Sequence, residues 1–181
     1  MIGISPIADR NLTLTGYISP NQLALCRRIA ERLGRPLVNV EQRMEARAEM
    51  SIPDIRARFG ETRLKTLENE VMEETYLYRG AVINISGQTL MHGEHFRRLL
   101  ETGPVICLTA NLDAVLQRLH AALGARYHNP HERALALGHL KREWAVRQLE
   151  GIHKLDTTYL SEEEIIESTI ALWQRAAIRQ F

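Results

Sequence analysis

The first residues that invite a chemical reading are Gly16-Tyr17-Ile18-Ser19-Pro20-Asn21-Gln22-Leu23-Ala24-Leu25, which follow the apolar positions Leu12 and Leu14 and precede a helical pattern. A loop between a strand and a helix is where nucleotide-binding chains seat a phosphate, because the first N–H groups of the helix are unpaired and its dipole favours negative charge. From these residues alone two readings stay open: an anion or ligand site at a helix N-terminus, and a plain surface turn. Two histidine pairs, His92-x-x-His95 and His128-x-x-His131, have a spacing that invites a metal, with His139 further on. Neither pair carries the cysteine or carboxylate spacing of a recognised site, so no metal is expected and the histidines read as solvated loop residues. A third group, Arg133, Lys141, Arg142 and Arg147 with Trp144, has the composition of a phosphate-backbone surface. Glu132, Glu143 and Glu150 are interleaved with it, as on a solvated helix face, so nucleic acid is not an expected partner.

These groups need elements to hold them. Residues 11–15 alternate and end at Gly16, as a short strand running into a turn does. Leu23, Cys26, Ala30 and Leu33 recur at helical spacing, Pro20 suits the entry and Gly34 the exit of a helix. Residues 35–40 read as the next strand. Ser51, Pro53 and Asp54 mark a helix start, and Leu64, Leu67, Val71 and Met72 a long amphipathic helix ending before Gly80. Strands are predicted at 81–85, 103–110 and 152–158, with helices over 95–100, from Leu112 onward, and in a basic segment after a polar loop at 124–132. Ser161 and Glu164 form a capping box that opens a C-terminal helix through Ile165, Ile166, Ile170 and Trp173, where Trp173 is either core or interface. Strands alternating with helices predict a three-layer α/β/α fold around a central parallel sheet of about five strands. In such a sheet ligands bind beyond the carboxyl ends of the strands, here after residues 15, 40, 85 and 110.

Composition bounds the possibilities. A chain of 181 residues, 45% hydrophobic and 25% charged, suits a single domain over 1–181, with residues 1–8 as a loose leader and 124–147 as a lid-like loop and helix. The 23 basic and 22 acidic residues give a net charge of +1, so no overall field draws the chain to a polyanion. Cys26 and Cys107 fall in apolar patterns and read as core thiols of a reducing compartment. No apolar run approaches the ~18 residues of a membrane span and no signal-peptide pattern is present, so a cytoplasmic location and no membrane contact are expected.

Several stretches carry a resemblance to one family. "NLTLTGYISPNQLALCRRIAERLGRPLVNVE" parallels the strand, loop, helix and second strand of shikimate kinase, the small P-loop kinase that phosphorylates shikimate. "MSIPDI", "FGE" and the following "LENEV" continue the pattern, and "GAVINISG" and "GPVICLTA" match its third and fourth strands. The resemblance spans residues 11–175 and implies a P-loop-kinase-like fold.

The reactive positions depart from the family. A working phosphate loop reads G-x-x-x-x-G-K-[ST], with backbone N–H groups turned to the phosphates, a lysine charge and a hydroxyl on Mg²⁺. Here Gly16 survives, Ser19 and Asn21 stand at glycine positions, Gln22 replaces the lysine, and Leu23 and Ala24 replace the hydroxyl pair. The resemblance places Arg118 where the family packs a residue on adenine and Arg126 at the lid arginine. On the substrate side the family's Asp-x-Asp appears as Asn39-Val40-Glu41 and its Gly-Gly-Gly as Ser86-Gly87-Gln88, while its two substrate arginines fall on Lys65 and Arg142. Lys65 keeps the charge without the bidentate fork.

Phosphoryl transfer depends on positioning and electrostatics. With lysine, hydroxyl, carboxylate and glycines changed together, the expectation is a pseudokinase with no catalytic residue and no cofactor, kept as a ligand-binding or protein-interaction module for a small acidic or cyclic metabolite. Two alternatives remain: an active small-molecule kinase using ATP and Mg²⁺ through an unorthodox loop that recruits Arg126 or Arg142, and the metabolite-sensing domain of a regulator.

Overall fold

Aliphatic and β-branched runs set between turn residues form the sheet. The computed structural model describes residues 7–179, the His139 side chain excepted, so most of the expected leader lies outside the described residues. Leu12–Gly16 (β1), Leu37–Asn39 (β2), Val82–Asn84 (β3), Val105–Thr109 (β4) and His153–Asp156 (β5) make one sheet in the order β2-β3-β1-β4-β5. Every neighbouring pair is parallel, with Leu14 beside Asn84 and Ile106. This is the five-stranded, helix-flanked sheet that the alternation predicts, and it brings Gly16, Asn39, Asn84 and Thr109 to one edge.

Side-chain alternation along the strands divides the core. Ile106 and Leu108 of β4 pack with Gln22–Leu33 (α1), Leu112–Leu123 (α6) and Glu162–Arg179 (α8), whereas Val105 and Cys107 join the cluster of Val40–Ala48 (α2), Ile52–Thr75 (α3) and His95–Thr102 (α5). Trp173 belongs to the first cluster, 1% exposed, with its Nε1 donating to the Asn11 carbonyl at 3.0 Å. It is core. Both cysteines are buried, and desolvation pushes the Cys26 thiol up to about 12 and that of Cys107 to about 11, as befits inert packing groups. Among the described residues no helix is long and apolar enough to cross a membrane.

The helix starts follow local chemistry. Ser51 caps α3 by accepting from the Asp54 N–H, and the Ser161–Glu164 box closes in both directions. Four features depart from expectation. The second strand ends at Asn39, whose side chain accepts from the Gln42 N–H at 3.0 Å and starts α2 one residue later. That helix buries only Val40 and Met44, so its periodicity is too sparse to read. The long helix breaks at Gly60 (φ 78°, ψ 177°), so α3 is two segments across a kink. A short helix, Gly87–Leu90 (α4), follows β3 with Ser86 as its cap. The polar stretch after α6 is ordered as a 3₁₀ turn over Gly124–His128, leading into Pro130–Trp144 (α7).

Candidate functional site

At the β1–α1 loop the side chain of Gln22 turns inward, 9% exposed. Its Oε1 accepts the Ile18 N–H at 2.9 Å and its Nε2 donates to the Gly16 carbonyl at 2.7 Å, so the loop closes on its own amide. Ser19 Oγ accepts the Asn21 N–H at 3.1 Å, satisfying a second loop donor. Gly16 is retained for space: φ is +91°, and a Cβ there would lie 2.3 Å from the Leu108 carbonyl oxygen on β4. Asn21, in contrast, has φ −94°, so the second family glycine is not needed in this conformation. Leu23 is half-buried.

Beyond the ends of β2 and β3 a cavity of about 450 Å³ gathers Glu41, Lys65, Ser86, Gln88 and Arg142, five of the residues singled out in the sequence. Gly87 sits beneath α7, where a Cβ would come within 3.0 Å of the Glu143 carbonyl oxygen. Asn39 is occupied with the α2 cap and lines a smaller neighbouring cavity of about 250 Å³ with Gly16, Pro20 and Gln22. Glu41, Ser86 and Glu143 wall both spaces. Lys65 and Arg142 are exposed and form no ion pair among the described residues, leaving two cations at the rim.

The carboxylates are committed. Glu41 Oε1 accepts the Ser86 N–H at 2.9 Å, and Glu143 accepts the Gly87 N–H. Burial pushes the Glu41 carboxyl above its ordinary range, against the hydrogen bonds from Ser86 and Thr89. Burial likewise raises Glu143 to about 7, aided by the nearby Glu41 charge and opposed by the Gly87 and Gln88 amides and by Arg142. With Glu41, Glu61, Glu68 and Glu143 all lining the cavity, a ligand carboxylate is tolerated best at the Lys65–Arg142 rim.

On the other side of the loop an apolar cleft of about 330 Å³ is formed by Ile18, Leu25, Ala121, Leu160 and Ile165 with Arg118. Arg118 donates to the Thr157 hydroxyl at 3.1 Å, which fixes it at this wall. Arg126 does not join it: it is exposed in the 3₁₀ turn and pairs with Glu132 at 2.9 Å. Arg133 of α7 lies at the surface over the Tyr127 ring, and Arg147, just past the helix, lies over Trp144.

Among the cavity residues that escaped the sequence reading as site residues are Arg56, Glu68, His92 and Glu143. Arg56 pairs with Glu61 across the Gly60 kink. His92 and the buried His95 both bond Glu68, which corrects the expectation of solvated loop histidines. The pairing has no local signature because Glu68 lies on α3, more than twenty residues earlier. Glu143 was legible only as one charge in a mixed helix, since its burial depends on α7 lying over Gly87. His128 meets the stacked His120 and Tyr127 rings edge-on in a surface group, His131 is exposed, and the His139 side chain lies outside the described residues. No set of three or more metal-ligating side chains forms a metal site among the described residues.

Comparison with known proteins places this geometry. A family model described as shikimate kinase matches residues 24–173, beginning at Ala24, the last of the divergent loop positions. The chain is 30% identical over 173 residues to the shikimate kinase of Thermus thermophilus, covering 93% of this chain and 92% of that protein. It is 26% identical over 169 residues to that of Thermodesulfovibrio yellowstonii, covering 92% and 96%. Among solved structures it is similar to the shikimate kinase from Acinetobacter baumannii in complex with shikimate (TM-score 0.73, 18% identity, 93% of this chain and 95% of that one). A gluconokinase from Sinorhizobium meliloti shares the fold (TM-score 0.57, 13% identity, 96% of each chain). The sheet order, the two-sided helical packing and a family match running from the first helix to the last together establish that this chain belongs to the shikimate kinase family.

Proposed function

We propose that this member of the shikimate kinase family binds a small organic acid in the cavity between α3, α4 and α7, and that its β1–α1 loop holds no triphosphate. The observation that carries the proposal is the Gln22 amide seated in the loop, bonded to the Ile18 N–H and the Gly16 carbonyl. A phosphate oxygen at this place needs the Ile18 N–H, and a neutral amide supplies no charge to replace it. Leu23 and Ala24 offer no hydroxyl for Mg²⁺, and the Glu41 carboxyl is engaged by the Ser86 N–H. The residues present therefore do not suit ATP and Mg²⁺ in the family manner, and no phosphoryl-transfer step is derived through them. Lys65 and Arg142 at the rim of a cavity of about 450 Å³ suit the carboxylate of a compact ligand.

A second reading is an active small-molecule kinase. The names of the relatives favour it, and so does the apolar cleft beside Arg118, which has room for a planar ring. Calorimetric titration of shikimate and of MgATP, separately and together, with ADP release followed in parallel, separates the two. Acid binding without MgATP binding supports the proposal; shikimate-dependent ADP release establishes the kinase instead.

A further inference from the structure

The side chains around Glu68 form a chain of hydrogen bonds from the core to the cavity wall. The Tyr76 hydroxyl meets His95 Nδ1, His95 Nε2 lies 3.1 Å from Glu68 Oε1, and His92 Nδ1 lies 2.8 and 3.0 Å from the two Glu68 oxygens. Tyr76, His95 and Glu68 are buried, at 6%, 6% and 4% exposure. The His92 side chain is 37% exposed and lines both the acid cavity and an adjoining one of about 450 Å³ beneath α5.

Proton counting along this chain gives each ring a direction. Burial pushes the Tyr76 hydroxyl up to about 12, so it keeps its proton, and it donates that proton to His95 Nδ1 when the ring carries its own proton on Nε2. A neutral His95 that accepts at Nδ1 carries its proton on Nε2 and donates it to Glu68. Both Glu68 oxygens lie within hydrogen-bond distance of His92 Nδ1 and carboxylate oxygens accept, so His92 meets them with Nδ1–H. His92 Nε2 then carries a lone pair, makes no hydrogen bond among the described residues, and lies on the ring edge opposite the one tied to Glu68.

We propose that Tyr76, His95 and Glu68 act as positioning residues that hold His92 as its Nδ1–H tautomer, so that Nε2 accepts a hydrogen bond from a hydroxyl group of the acid bound in the cavity. The proposal rests on the cavity being a ligand site. It assigns division of labour within that site: Lys65 and Arg142 read the carboxylate, and His92 reads a hydroxyl. A ligand with the same carboxylate and no hydroxyl gains nothing from His92.

The test uses shikimate and cyclohex-1-ene-1-carboxylate, which share a ring acid and differ in the hydroxyls, titrated into the wild type, His92→Phe and Glu68→Gln. In the wild type the hydroxylated acid binds more tightly. His92→Phe reduces that preference by about 5- to 10-fold, the worth of one hydrogen bond, while the hydroxyl-free acid binds as before and reports an intact fold. Long-range ¹⁵N–¹H spectra of the wild type show His92 protonated at Nδ1 and His95 at Nε2. Glu68→Gln, whose amide can donate to Nδ1, moves His92 toward the Nε2–H form and lowers the preference without touching the ligand. An Nε2–H tautomer of His92 in the wild type, or an unchanged preference in His92→Phe, overturns the proposal while leaving acid binding in place. Failure of both acids to bind the wild type overturns the cavity reading and this proposal with it.

Discussion

Gln22→Lys returns a cation to the position that the family's phosphate loop uses. In the wild type the Gln22 amide both accepts the Ile18 N–H and donates to the Gly16 carbonyl, and it is almost fully buried. Lysine has donors and no acceptor, so its ammonium can keep the Gly16 contact but leaves the Ile18 N–H without a partner. A buried donor left unpaired costs about 1–3 kcal/mol. In a domain of this size each kcal/mol moves Tm by about 2–4 °C, so the unliganded variant should melt roughly 2–12 °C below the wild type. An anion reverses the loss, because one phosphate oxygen takes the freed N–H and meets the ammonium. Scanning fluorimetry with millimolar tripolyphosphate should therefore raise the Tm of Gln22→Lys and leave the wild type unchanged. Adding Leu23→Ser should make the response to ATP depend on Mg²⁺. An equal rise in the wild type would show that the amide leaves the loop readily, and the reasoning from its two hydrogen bonds would be wrong.

Other outcomes follow from the same contacts. Because the Glu143 carboxyl is raised from 4.5 to about 7, the folded state holds its proton more tightly than the unfolded chain. Its contribution to stability is present in acid and lost as pH rises through about 7, by up to about 3 kcal/mol. Urea midpoints at pH 5 and pH 8 should show that loss in the wild type and a smaller one in Glu143→Gln; an identical pH slope in the two proteins refutes it. Gly16→Ala places a methyl group against the Leu108 carbonyl at positive φ and should lower stability by about 3 kcal/mol or more, read by urea denaturation. Lys65→Ala and Arg142→Ala should each weaken shikimate binding about 10-fold in calorimetry, with the urea midpoint near that of the wild type because neither exposed cation is in an ion pair among the described residues.

What was legible in the sequence depended on local pattern. The strands at Leu12–Gly16 and Val105–Thr109, the Ser51 cap and the Ser161–Glu164 box each announce themselves within a few residues, because apolar alternation and capping are short-range effects. Helix α2 did not, since its start signal, Asn39 with Gln42, overlapped a strand pattern and only two of its residues are buried.

By itself the sequence determined a parallel sheet of about five strands flanked by helices and the absence of a lysine and a hydroxyl at the first turn of α1, since each follows from residue identity and spacing along the chain. Only the tertiary structure decided that Gln22 fills the loop it lies in, that Arg126 stays with Glu132 on the surface, and that Glu143 comes down on Gly87 while Glu68 gathers His92 and His95. Side-chain direction and desolvation set those partnerships. Both arise when elements far apart in the chain pack against one another.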